Sequence, residues 1–166
     1  MTPRKELTPQ EAYSRLADRC STTELCTSEA LEKLRQWGIG EQPACAIVQR
    51  LVDERFIDDE RFARAFVRDR LYNSRWGLVK IRQAMRLKRL DSGLINEVIE
   101  SETDNERYFS NLAAALRSKG RAMPSPLSRD DRMKLARFAL SRGYEPGLVS
   151  EMLADEEYWR GEDSLL

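Results

Sequence analysis

Apolar residues recur along almost the whole chain at spacings of three and four, and no segment alternates apolar with polar over the length of a strand. That pattern constrains the fold more than any other feature. A stripe of helical period can be buried only by packing against other elements, and isolated helices of this length do not stand alone in water. Tyr13, Leu16, Ala17 and Cys20 form one such stripe, Ile47, Val48, Leu51 and Val52 another, and Tyr108, Phe109, Leu112, Ala115 and Leu116 a third.

Helix starts are marked by capping chemistry. Thr8-Pro9-Gln10-Glu11 reads as a capping box with proline in the first turn. Thr27 or Ser28 opens a second helix that stops at residues 37–40, and Pro43 starts a third. Asp58 or Asp59 caps a fourth, Gly77 separates it from a fifth, and Asp91 or Ser92 opens a sixth. A second capping box, Thr103 to Glu106, starts a seventh; Ser128 with Asp131 starts an eighth, and Pro146 a ninth. Residues 120–126, with two prolines and a glycine, form the clearest loop.

The order of helix, turn and short helix occurs three times. Ile39, Leu90 and Tyr144 mark the turn, 51 and 54 positions apart. Asp58-Asp59-Glu60-Arg61-Phe62 and Asp104-Asn105-Glu106-Arg107-Tyr108 repeat the start of the next unit, and residues 155–158 look like a vestige of it. The expectation is an all-α chain of about nine helices, built as tandem three-helix repeats forming an elongated curved array. The repeats would span residues 1–57, 58–102 and 103–155, with residues 156–166 an acidic tail that frays.

Charge singles out the middle repeat. Arg61, Arg64, Arg68, Arg70, Arg75, Lys80, Arg82, Arg86, Lys88 and Arg89 are ten cations opposed within that span by Asp69 alone, nine net positive. The chain as a whole has 28 basic and 28 acidic residues, so the remainder is equally negative. At about 100° per residue, Arg61, Arg64 and Arg68 share one stripe and Arg82, Arg86 and Arg89 another. Arg70 projects instead from the side of Phe62 and Phe66, at the end of that face or paired with an acid. Such a layout predicts an acidic partner, either nucleic acid or an acidic protein groove. The basic helices offer mainly Arg and Lys, which read charge rather than base sequence. Tyr72 and Trp76 lie in the same stretch and would stack on bases or arginines, or else pack in the core. Arg117, Lys119, Arg121, Arg129, Arg132, Lys134, Arg137 and Arg142 form a second, looser basic region.

Catalysis is not expected. The 166 residues include no histidine, which removes the commonest general base, and no phosphate-cradling glycine loop. Cys20, Cys26 and Cys45 make no metal-binding pattern, so no metal or cofactor is expected, and as free thiols they suit a reducing cytoplasm. The first six residues contain no apolar run of the kind that leads a secreted chain, and no stretch reaches the roughly 20 apolar residues of a membrane span.

Phe56-Ile57-Asp58-Asp59-Glu60-Arg61-Phe62-Ala63, followed by Arg70, Arg75-Trp76-Gly77, Ile81, Met85 and Lys88-Arg89-Leu90, resembles the signature of the RecX regulatory protein family. The chain departs from that signature at Arg55 and Arg89, where the family commonly has glycine, and at Leu78, where proline is frequent. The resemblance implies tandem three-helix repeats and no enzymatic activity. It implies a cytoplasmic protein that lodges in the groove of the RecA filament on single-stranded DNA and restrains its growth, ATP hydrolysis and strand exchange; separately, the free chain is expected to be a monomer. The ten cations would then contact RecA, DNA phosphate or both. Two other readings of the residues remain beside it, a non-specific DNA-binding protein and a helical adaptor for an unrelated acidic partner.

Overall fold

The computed structural model describes residues 7–161. Among them are ten α-helices and no strand: α1 (Pro9–Cys20), α2 (Thr27–Gln36), α3 (Glu41–Asp53), α4 (Asp59–Arg68), α5 (Leu78–Leu87), α6 (Ser92–Glu102), α7 (Asn105–Gly120), α8 (Arg129–Ser141), α9 (Pro146–Ala154) and α10 (Glu156–Arg160). A π-helical turn, Asp69–Asn73, continues α4.

The capping chemistry read from the sequence is largely what starts these helices. Thr8 and Glu11 form the reciprocal box, and Ser128 accepts the Asp131 N–H at 3.1 Å. Of the three ambiguous starts, two resolve to Asp58, which accepts the Arg61 N–H at 3.0 Å, and Asp91, which accepts that of Leu94 at 3.1 Å, while in the third α2 begins at Thr27 behind Cys26. The seventh helix differs from expectation. Asp104 rather than Thr103 caps it, accepting the Arg107 N–H at 3.0 Å, while the Thr103 hydroxyl donates back to the Ile99 carbonyl at 2.6 Å. Thr103 is thus bound to the end of α6, and the next acceptor in the chain takes over.

The acidic tail also differs. Asp155 accepts the Tyr158 N–H at 3.0 Å and opens α10, whose Trp159 is fully buried. A Cβ on Gly120 would lie 3.0 Å from that indole, so the last residue of α7 is small enough to seat it. An aspartate therefore begins a helix at all three places where the sequence repeats, Asp58, Asp104 and Asp155. The part of the expected tail beyond Gly161 lies outside the described residues.

The three marked turns share one geometry. Ile39 donates to the Leu34 carbonyl at 3.0 Å, Leu90 to Met85 at 3.3 Å and Tyr144 to Ala139 at 3.2 Å. Each bond reaches back five residues across a residue of positive φ, respectively Gly38 (79°), Arg89 (57°) and Gly143 (93°). A fourth turn of the kind ends α3, where Arg55 has φ 62° and Phe56 donates to Leu51 at 2.8 Å. In each, a left-handed residue reverses the chain and the apolar residue after it returns towards the core, the helix-terminating motif for which glycine is the usual occupant.

Contacts gather the chain into two compact units. Of the described residues, one takes 7–65 together with Met85–Ile95, and the other takes Phe66–Ala84 together with 96–161. The first is cored by Leu16, Leu34, Ile47, Val48, Leu51 and Ile57, with Trp37 and Phe56 packed against them. In the second, α7, α8, α9 and α10 bury Leu112, Leu116, Leu135, Val149, Leu153 and Trp159.

The second unit contains a seam between the turn after α8 and the start of α5. Gly77 and Val79 donate to the carbonyls of Arg142 (2.8 Å) and Gly143 (3.0 Å), and Leu78 donates to the Tyr108 hydroxyl at 2.9 Å. Tyr108 in turn donates to Glu145 at 2.6 Å, the Arg142 guanidinium donates to Ser74 O at 2.9 Å, and Tyr144 donates to Arg75 O at 3.1 Å. Burial and the Glu145 carboxylate push the Tyr108 hydroxyl well above its ordinary pKa, so it remains a donor at every physiological pH.

Two substitutions test this account. Gly77→Ala places a Cβ 2.1 Å from the Gly143 backbone, and chemical denaturation should show a loss of about 3 kcal/mol. Arg55→Gly relieves a left-handed backbone worth about 1–2 kcal/mol against a smaller entropic loss, so thermal melting should show a net gain of roughly 0.5–1 kcal/mol.

Candidate binding surface

The ten cations of the middle segment divide between the two units, and the fold engages seven of them internally. In the first unit, Arg61 uses all three nitrogens of its guanidinium. Its Nε donates to Glu24 at 2.6 Å, and its two terminal nitrogens donate to the carbonyls of Arg55 (3.3 Å) and Phe56 (3.2 Å). It brackets the left-handed turn that ends α3. Arg64 lies on Glu60 one turn earlier, its Nε at 3.0 Å and a terminal nitrogen at 2.9 Å. Lys88 pairs with Glu29 and stands 5.5 Å from the centre of the Phe62 ring, and its carbonyl accepts the Ser28 hydroxyl. Asp59 points away from its own helix and accepts the Thr27 N–H at 2.8 Å. The two aspartates of the Asp58-Asp59 pair thus have separate tasks, one capping α4 and the other holding the first amide of α2.

Arg86 and Arg89 complete that unit's cations. Both are exposed, and neither side chain makes a hydrogen bond or ion pair among the described residues. Arg89 acts on Glu32 only through space.

In the second unit, Arg68 pairs with Glu102 through two nitrogens, one at 3.0 Å. Arg70, ambiguous in the sequence, is half-buried between two rings, 5.0 Å from the centre of Phe66 and 4.7 Å from that of Trp76. It reaches Asp69 at 3.3 Å and Ser74 at 3.4 Å, and its buried Nε has no hydrogen-bond partner. Lys80 covers the Trp76 ring at 4.2 Å. Arg82 donates to the Asn96 side chain, and exposed Arg75 adopts φ 54° at the end of the π-helical turn.

The two aromatics of the segment are engaged by cations rather than left open. Tyr72 donates to the Glu102 carbonyl at 2.7 Å and accepts the Asp104 N–H at 3.1 Å, and Arg107 lies 4.1 Å from its ring. Of the two stacking partners the sequence allowed, bases and arginines, the fold itself supplies arginines. The second basic region is drawn inward at several points. Arg117 donates to the carbonyls of Trp159 (3.0 Å) and Arg160 (3.1 Å), Arg132 to Leu153 O at 3.0 Å, and Lys134 to Asp131 at 3.4 Å.

One exposed side chain escaped the sequence reading. Leu87 is 81% exposed, the most of any large apolar residue described, beside Arg86 and Lys88. The signal was present, because Leu87 falls about 180° around the helix from Leu78 and off the buried face of Ile81 and Met85. Among the described residues no group of His, Cys, Asp and Glu could hold a metal ion, and no helix is long and apolar enough to cross a membrane.

Comparison with known proteins places this arrangement in a family. A family model described as RecX, second three-helix domain, matches residues 58–99, from the Asp58 cap through α5 and most of α6. The regulatory protein RecX of Halorhodospira halophila is 30% identical over 135 residues, covering 80% of this chain and 81% of its own. That of Levilactobacillus brevis is 28% identical over 153 residues, covering 92% of this chain but 57% of its own length. The crystal structure of RecX from Lactobacillus salivarius superposes with a TM-score of 0.77 over 89% of this chain and 95% of that one, at 18% identity, a likeness of fold. Taken with the Asp58-Asp59 start and the repeated left-handed turns, these matches show that the chain belongs to the RecX regulatory protein family.

Proposed function

We propose that this chain is a regulator of the RecA recombinase, binding the RecA filament on single-stranded DNA in the cytoplasm. Bound there, it restrains ATP hydrolysis, filament extension and strand exchange. The observation that carries the reading is a RecX-family fold in which Arg75, Arg86 and Arg89 remain exposed and without ion pairs among the described residues. Cations already paired within the fold can exchange partners at modest cost, since exposed ion pairs are worth about 0–1 kcal/mol. The role is binding without catalysis, and the arginines meet carboxylates of the filament, phosphates of its DNA, or both.

The test is RecA's ATPase rate on single-stranded DNA as this protein is titrated in. Inhibition at amounts well below those of RecA is expected. Arg82→Glu combined with Arg86→Glu should raise the amount needed for half-inhibition at least tenfold, corresponding to about 1.4 kcal/mol, with an unchanged circular-dichroism melt. Unchanged ATPase together with tight binding to bare DNA that weakens steeply with salt would select the DNA-binding reading instead.

A further inference from the structure

The last turn of α5 brings together features that point to a protein partner. Leu87 is 81% exposed, whereas the next most exposed large apolar side chain described, Tyr158, is 53%. Its neighbour Arg86 is exposed and makes no hydrogen bond or ion pair among the described residues, and the same is true of Arg89. Arg89 also occupies a left-handed backbone, φ 57°, at a turn whose counterparts in the other two repeats are Gly38 and Gly143. Glycine would sit there without strain, so the fold alone does not account for an arginine.

We infer that Arg86, Leu87 and Arg89 form a docking knob, in which Leu87 enters an apolar pocket on an acidic protein surface and the two arginines pair with carboxylates at its rim. Arginine is enriched among the few residues that dominate a protein interface, and the buried core of such an interface is more apolar than its rim. A phosphate backbone would leave Leu87 without a partner. The nearby Glu32 carboxylate, which feels Arg89 through space, disfavours a polyanion but suits a protein surface of mixed charge. The inference rests on the filament reading above and assigns this knob to the protein of that filament, not to its DNA.

The experiment compares the full chain with Leu87→Ser and Arg89→Gly in three measurements: inhibition of RecA ATPase on single-stranded DNA, binding to the same DNA without RecA, and thermal melting. Each variant should need about tenfold more protein for half-inhibition, while binding to bare DNA matches wild type. Leu87→Ser should melt at the wild-type temperature and Arg89→Gly higher, so that weaker inhibition cannot be ascribed to misfolding. If both variants inhibit as wild type does, the knob is refuted and the filament reading stands. Loss of inhibition in parallel with loss of bare-DNA binding would assign the turn to a polyanion and overturn the protein pocket. If wild type itself does not inhibit, the filament reading fails and this assignment fails with it.

Discussion

The second unit depends on the meeting of two helix ends. α8 finishes with carbonyls that have no partner within the helix, and α5 begins with amides in the same position. Each set satisfies the other. Arg142 and Gly143 accept from Gly77 and Val79, and the intervening amide, Leu78, is taken by Tyr108. The partial charges are also opposite, negative at the end of α8 and positive at the start of α5, so the seam brings the two dipoles together favourably. Such closeness requires backbone against backbone. A Cβ at Gly77 would meet Gly143 at 2.1 Å, and one at Gly143 would meet Lys80 at 2.2 Å. Two glycines 66 positions apart are therefore one structural requirement, and Tyr108 with Glu145 closes the polar network between them.

The same economy explains how a short pattern is reused. An aspartate opens one helix of a unit, the next helix closes on a left-handed residue, and the apolar side chain after it returns to the core. Gly38 and Gly143 take that left-handed position without strain, whereas Arg55 and Arg89 take it with strain. A cation at a helix C-terminus recovers part of this from the dipole. That recovery is available on any residue of the last turn and does not require the strained position itself. At Arg55 the turn is held from outside, by the Arg61 guanidinium on the carbonyls of Arg55 and Phe56. Arg89 has no such bracket among its described contacts.

Local features of the chain were legible because their physics is local. Apolar spacing, caps such as Thr8, Asp58 and Ser128, and the turns at Ile39, Leu90 and Tyr144 each depend on residues within one or two turns of each other. Errors appeared where two local solutions competed or where a distant contact decided. Thr103 and Asp104 are both competent caps, and only the path of the chain out of α6 commits the Thr103 hydroxyl to Ile99. Residues 156–160 are acidic enough to read as tail, yet Trp159 finds a seat against Gly120, 39 positions away, and the helix forms around it. The candidate surface was legible as a charge excess but not as a set of available groups. Glu24, Glu29 and Glu102 reach the segment from outside it, and no spacing rule relates them to Arg61, Lys88 and Arg68.

That last point changes what the basic segment can do. Read along the chain, nine net charges suggest a long-range field that attracts any polyanion. In the fold, carboxylates on Arg61, Arg64, Arg68, Arg70 and Lys88 turn many of those charges into close pairs. A close pair has a weak field beyond a few ångströms, and screening at about 0.15 M salt removes most of the remainder within roughly 8 Å. Attraction at a distance is therefore much smaller than the composition implies, and recognition passes to contact geometry: which guanidinium is unpaired, what lies beside it, and how rigidly its backbone is held. On the proposed reading, a surface of this kind would select its partner by shape and local charge together. That is the behaviour expected of a regulator acting on one assembly, and it differs from that of a protein binding nucleic acid by charge alone.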